Sequence, residues 1–294
     1  MKIVQILGGL GNQMFQYAFL IALREKFKQE VLMDASLFDT YPLHNGFELD
    51  RVFKITTRKA TNKEVHKLYW PFFTHSYFMS RIYRHYFPVL KTELRELEHC
   101  PYMERVLSDE SDLYYVGEFQ NHKYFDWCKE AVVKEFSWKE VLDGRNEELA
   151  QKLCNSISCS IHVRRGDYLK DPNFLGICEL GYYEKAIEYV KGKYGEKVEF
   201  AIFSNDTEWC NQNIIPLLGN SNAILVDWNT GQRSSVDMRL MSLCKINIIA
   251  NSSFSWWAAY LNNNRDCEVI APEVWMHSDV WFSWQLPSWK LINS

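Results

Sequence analysis

Apolar and polar positions alternate along this chain in blocks that predict strand and helix in turn. Residues 2–7 form a short apolar run that stops at Gly8-Gly9-Leu10-Gly11, and residues 12–27 then place Met14, Phe15, Ala18, Phe19, Ala22 and Leu23 on one helical face. Residues 31–33, ending at Asp34, repeat the change from apolar to polar. This is how a parallel sheet with crossover helices opens. The alternation restarts at Cys159, with strands expected over 159–163, 198–203, 224–226, 247–250 and 268–271 and helices over 182–194, 235–242 and 255–261. Such an order predicts a doubly wound sheet, whose ligands lie at the carboxyl ends of the strands.

Between these blocks the pattern is weaker. Residues 114–118 read as a strand and 125–136 as a helix. The stretch 54–110 is polar and basic and crowded with Tyr69, Trp70, Phe72, Phe73, Tyr77, Phe78, Tyr83, Tyr86 and Phe87. It reads as helical and either lines a binding cleft or forms a layer around a core. With Arg81, Arg84 and Lys91 it also suits peripheral association with a membrane surface. Residues 140–156 turn polar and charged, which marks a linker or domain edge. The expected domains are therefore 1–150 and 151–294, each of ordinary size.

Charge and composition narrow the function. A net charge of -4 and a pI near 6.1 give no cationic footprint, so nucleic acid is not an expected partner. No charged residue stands between Lys2 and Arg24, which is long enough to suggest a membrane anchor. Gln5, Gly8, Gly9, Gly11, Asn12, Gln13 and Gln16 would be costly in hydrocarbon, so strand, loop and helix is the better reading and the cytoplasm the expected address. The cysteines include no Cys-x-x-Cys pair and the histidines no His-Glu-x-x-His, so ligand spacing proposes no metal site and the thiols read as reduced. Aromatic residues make up 15% of the chain, which suits a large core and also ring stacking on sugars.

Chemistry concentrates at the predicted strand ends. His162-Val163-Arg164-Arg165-Gly166-Asp167-Tyr168 leaves a buried strand with two adjacent guanidiniums. These repel one another unless an anion shares the site, and their planar forks match phosphate oxygens; the alternative is an arginine paired with Asp167 for stability. Ser204-Asn205-Asp206 offers an amide and a carboxylate in front of a helix start, which is also an ordinary N-cap. Asn251-Ser252-Ser253-Phe254 opens a helix directly after a strand, where amides, hydroxyls and the helix dipole make an anion site. The Gly8 to Gln13 loop allows close backbone approach, yet it is neither a Walker loop nor a dinucleotide fingerprint. With no Asp-x-Asp pair to hold a divalent ion, arginines and amides would have to meet the charge of a diphosphate.

Taken together, Gly8 to Tyr17, His162 to Asp167, Phe203 to Asp206 and Asn251 to Ala258 resemble the α-1,2-fucosyltransferases of glycosyltransferase family 11. These motifs stand in the family's order from residue 6 to about 262, whereas 40–110 carries no such signature. The resemblance implies an α/β fold of GT-B type, two Rossmann-like domains facing across a cleft, with the acceptor on 1–150 and the donor on 151–294. It implies GDP-L-fucose as donor, no metal or other cofactor, inversion at the anomeric carbon, and the 2-hydroxyl of a galactose in a β-galactoside glycan as acceptor. Transfer in 1,6 linkage, a non-catalytic nucleotide-sugar or glycan-binding protein, and a nucleotide-sugar hydrolase or phosphatase are the competing readings. A bacterial enzyme making lipopolysaccharide or capsule at the inner face of the membrane is the expected setting.

Residue by residue, the resemblance assigns Arg164 to the β-phosphate with Arg165 supporting it, and His162 to the nucleotide. Asp206 is assigned to guanine with Asn205 beside it, Ser252, Ser253 and Phe254 to the diphosphate, and Asn12 to the fucose or pyrophosphate. Asp167 either takes the acceptor proton or holds the arginine loop in shape. The family often has a second carboxylate where this chain has Asn205, which leaves Asp206 as the lone acid for guanine.

Overall fold

The structure is a computed structural model and describes residues 1–70, 76–96, 102–277 and 284–293. Two compact units make up the chain, Met1–Glu140 with Val280–Trp284 and Val141–Asp279 with Gln285–Ser294. Each is built on a wholly parallel sheet.

In the first unit, β1 (Lys2–Gln5), β2 (Val31–Asp34), β3 (Glu93–Arg95) and β4 (Leu113–Val116) lie in the order β2-β1-β4-β3. Even Lys2 is buried in β1; its ammonium donates to the carbonyls of Asp109 and Ser111 at 2.6 and 2.9 Å and sits 4.3 Å over the Phe27 ring. The helix α1 (Leu10–Phe27) follows β1, and from Leu10 to Leu23 every residue except Asn12 is buried. That explains the long uncharged run: the helix is enclosed on all sides by its own domain, not by lipid. Among the described residues no helix is long and apolar enough to cross a membrane.

The stretch 54–110 is helical in part. It contains the helices Asn62–Leu68, opened by a Thr61–Glu64 capping box, and Tyr77–Tyr86, but it also supplies β3. Glu-Leu-Arg has no apolar run to announce a strand; β3 exists because β4 offers it a free edge. Phe72 and Phe73 fall outside the described residues. Where a helix is expected over 125–136, 3-10 turns at His122–Tyr124 and Asp126–Cys128 come first and the α-helix is Lys129–Glu135.

The second unit carries β5 (Ser158–Val163), β6 (Glu199–Ser204), β7 (Ala223–Val226), β8 (Ile246–Ile248), β9 (Glu268–Pro272) and β10 (Lys290–Ile292), in the order β10-β9-β8-β5-β6-β7. From β5 the chain steps outward through β6 and β7, then returns to lay β8 on the other flank of β5. The strand order therefore reverses between β5 and β8, the point at which doubly wound sheets bind ligands. Ile161, Val163, Tyr182, Tyr183, Phe200, Ile202 and Ile248 belong to the core cluster beneath it. The charged stretch 140–156, expected as a linker or domain edge, starts where the first unit gives way to the second at Glu140 and Val141, and most of it is the helix Gly144–Cys154, which buries Asn146, Leu149, Ala150 and Leu153 on one face.

Candidate functional site

Two tyrosines of the helix Leu180–Tyr194 fix the strand ends at the reversal point. Tyr183 donates its hydroxyl to the His162 carbonyl at 3.1 Å, and Tyr182 donates to the Ile249 carbonyl at 2.6 Å. Beyond His162, the two arginines part company. Arg165 donates its backbone N–H to Asn205 Oδ1 at 2.9 Å and its Nε to Asp206 Oδ2 at 3.2 Å, while its guanidinium lies 4.3 Å over the Trp209 ring. It ties the loop after β5 to the loop after β6. The other oxygen of Asp206 caps the next helix by accepting from the Trp209 N–H at 3.1 Å, and the side chain stays one-third exposed. Gly166 permits the tie, because its φ is +56° and a Cβ there would stand 2.5 Å from Asn205 Nδ2.

Arg164 is held only at one end. Its Nη2 meets both carboxylate oxygens of Asp167, at 2.8 and 2.9 Å, and its guanidinium lies 5.4 Å from the centre of the Tyr168 ring. Its Nε is buried without a hydrogen-bond partner, and so is Nδ1 of the buried His162. Burial and the charge of Arg164 push the His162 pKa down to about 3, so the ring is neutral across the physiological range. A buried donor left unmatched costs about 1–3 kcal/mol, more when charged, and any acceptor that reached it would recover that cost.

The opposite flank is the helix Ser253–Tyr260. Ser252 caps it by accepting the Phe254 N–H at 3.4 Å, and Ser252 also hydrogen-bonds Tyr168, whose hydroxyl burial pushes up to about 12. The Phe254 ring lies 5.7 Å from that of His162. Arg164, Arg165, Tyr168 and Asn251 line one depression, and Asn251 is fixed by donating to the Trp275 carbonyl at 3.0 Å. Ser253 begins the helix, while Trp256 and Trp257 are fully buried and serve the core. A free guanidinium edge, a neutral imidazole and a capped helix start thus share the reversal point, an arrangement suited to an anion with several oxygens.

The sequence pattern described as "Glycosyl transferase family 11" matches residues 1–293. The chain belongs to that family. Among its relatives, an Escherichia coli alpha-1,2-colitosyltransferase is 34% identical over 94% of this chain and 93% of its own length. The O-antigen biosynthesis glycosyltransferase WbnK of Escherichia coli is 33% identical over 96% and 97%. Rat galactoside alpha-(1,2)-fucosyltransferase 2 is 25% identical over 88% of this chain and 66% of that protein. A solved structure of the α-1,6-fucosyltransferase NodZ soaked with GDP-fucose matches with a TM-score of 0.52 over 88% of this chain and 92% of that one, at 13% identity. At that identity the likeness concerns the fold, two parallel α/β units of the GT-B class.

In this family 11 chain the expected site residues divide by unit. His162, Arg164, Arg165, Asp167, Asn205, Asp206, Ser252, Ser253 and Phe254 belong to the second unit and Asn12 to the first. Asn12 Oδ1 accepts from Gln120 Nε2 at 3.0 Å, and Gln120 Oε1 accepts from the Trp284 indole at 3.1 Å. Gln13 and Gln16, two of the polar residues that speak against a membrane anchor in the sequence, bond to backbone. Gln13 donates to the carbonyls of Gly8 and Gly46 and accepts from the Glu48 N–H; Gln16 accepts from the Leu7 N–H and donates to the Gly117 carbonyl. Tyr168 and Asn251 were given no role by sequence reasoning, although both stand inside quoted motifs. Gln120 and Trp284 carried no signal at all. Among the described residues, no group of three or more His, Cys, Asp or Glu side chains is placed to hold a metal ion.

Proposed function

We propose that this chain transfers L-fucose from GDP-L-fucose to the 2-hydroxyl of a terminal galactose in a β-galactoside glycan, inverting the anomeric carbon without a metal ion. The observation that carries the proposal is the buried, unmatched Arg164 Nε and His162 Nδ1 beside the Ser252 helix start. As the bond from sugar C1 to phosphate stretches, negative charge grows on the β-phosphate, and donors aimed at that charge lower the barrier. Arg164 would supply a charged N–H, His162 a neutral one, and Ser252 and Ser253 the hydroxyls and amides of the helix start. Asp206 and Asn205 are assigned to guanine, a role that Asp206→Asn would test through GDP affinity.

Asp167, by gripping Arg164 Nη2, is placed to aim the guanidinium. It is also more than half exposed, so it can meet an acceptor hydroxyl as a base. Kinetics of Asp167→Asn separate the roles: a base loses kcat with donor affinity intact, a positioning group loses both.

Support for the linkage comes from relatives whose names carry alpha-1,2 transfer, and for a surface glycan as acceptor from the O-antigen glycosyltransferase. The colitosyl relative favours a second reading, in which the sugar is colitose, L-fucose without its 3-hydroxyl. Incubation with each GDP-sugar, EDTA and a panel of galactosides, followed by linkage analysis, decides between them. The proposal expects an α-1,2-linked fucoside formed in EDTA. A 1,6 linkage, GDP release without acceptor, or donor binding without turnover would overturn it.

A further inference from the structure

We propose that the outward side of the helix Tyr77–Tyr86, with the exposed side chains that flank it in the chain, docks on the surface of an anionic lipid bilayer. Trp70, Phe78, Tyr86, Phe87 and Val89 are each at least half exposed, at 62, 70, 74, 54 and 50%. Exposed large side chains that share one side of a helix, as Phe78 and Tyr86 do, mark an interaction site. The helix is set with this face outward. Phe78, Arg81, Ile82, His85 and Tyr86 follow helical spacing along one side, while Ser80 and Tyr83 are buried on the other. Tyr83 packs edge-on against Tyr69 and stacks on Phe87, with centroids 5.6 and 5.5 Å apart, and Arg84 turns in to Ser80 Oγ at 3.2 Å. The core is thus served by one side and the aromatic side is left to solvent.

Charge selects the partner. Between Glu64 and Glu93 the chain has no Asp or Glu, but it has the exposed Lys67, Arg81 and Lys91 besides the inward Arg84, in a protein whose net charge is -4. The flanking acids do not offset this, because Glu64 is paired with Arg58 and Glu93 is buried against Arg95. Aromatic rings with cations on a short helix fit the bilayer interface, where rings sit among headgroups and cations meet anionic phosphates. At ten residues the helix lies on a membrane and does not span it.

The test uses the full chain and sedimentation with vesicles of phosphatidylcholine, alone or mixed with phosphatidylglycerol. The expected result is binding at least about tenfold stronger to the anionic vesicles, weakened by salt. Phe78→Glu with Tyr86→Glu, and separately Arg81→Glu with Lys91→Glu, should each lower that binding at least about fivefold. Turnover on a soluble galactoside should not change. Should the first double variant fail to fold by circular dichroism, Phe78→Ser carries the same comparison. Equal binding to both vesicle types, no binding, or variants that bind like the wild type would overturn the proposal. So would self-association lost in the aromatic variant, which would assign the face to a second copy, or lost turnover with unchanged vesicle binding, which would assign it to the acceptor.

Discussion

The segment after β1, a short loop and the first turns of α1, and the loop after β5 are equally conspicuous in the sequence, yet they are built to opposite ends. After β1, the polar groups are spent: Gln13 and Gln16 give their amides to backbone carbonyls and take backbone N–H groups in return. After β5, Arg165 is spent in the same way on Asn205 and Asp206, but Arg164 keeps a buried Nε, and His162 a buried Nδ1, without partner. Buried polar groups in a folded protein are almost always matched, and this unmatched pair, at a strand-order reversal, is the observation on which the proposed donor site rests. A polar motif thus reveals its role by what its atoms are bonded to.

The sharpest way to break the comparison is to remove one polar side chain from the segment after each strand. Arg164→Ala should lower kcat about 10²- to 10³-fold while the melting temperature stays near that of the wild type. Arg164→Lys should not restore the rate, because a point charge replaces a fork. Gln16→Leu should do the reverse. It strands the Leu7 N–H and the Gly117 carbonyl, and denaturant unfolding should show a loss of about 2–4 kcal/mol with a smaller change in kcat.

Glu96 extends the contrast into pH. Its Oε2 accepts the N–H groups of Glu118 and Phe119 at 2.9 and 2.6 Å, and burial pushes its pKa up to about 7. A carboxyl raised in the folded state contributes stability that is full below its unfolded pKa of about 4.3 and is lost as pH rises through about 7. Glu96→Gln keeps an acceptor for both N–H groups and removes the titration. Its stability relative to wild type should therefore climb between pH 5 and pH 8, by on the order of 1–3 kcal/mol, in paired melts. Gly166→Ala forces a Cβ onto Asn205 at a φ of +56° and should cost about 1–2 kcal/mol together with GDP affinity, read by calorimetry. The smallest effect is none: His162, neutral down to about pH 3, should add no inflection to the pH profile of turnover between pH 5 and pH 8. An inflection there that disappears in His162→Gln would contradict its assigned state.

The central strands and the double-arginine loop are legible in the sequence because each has a local cause. Buried parallel strands read as short, mostly apolar runs, even where β5 and β8 carry Ser160 and Asn247, and two adjacent guanidiniums need an anion or a partner wherever they lie. Which arginine is free is not local. Asn205, Asp206 and Trp209, which hold Arg165, arrive from the next strand and the helix behind it. The same holds for Gln13 and Gln16, whose partners Gly46 and Gly117 are distant in sequence. β3 and β10 are short, carry charged residues and exist only through their neighbours' edges, so no periodicity announces them. Residues 144–154 resemble a linker because their polar residues outnumber the few that the helix buries.

Calorimetric titration of GDP and GMP into the wild type and Arg164→Ala reaches the central claim without any assumption about acceptor or linkage. If the loop after β5 and the Ser252 helix start grip a diphosphate, GDP binds at least about tenfold tighter than GMP, and Arg164→Ala removes most of that preference. Equal affinities for the two nucleotides in the wild type, or a preference that survives in Arg164→Ala, would contradict it.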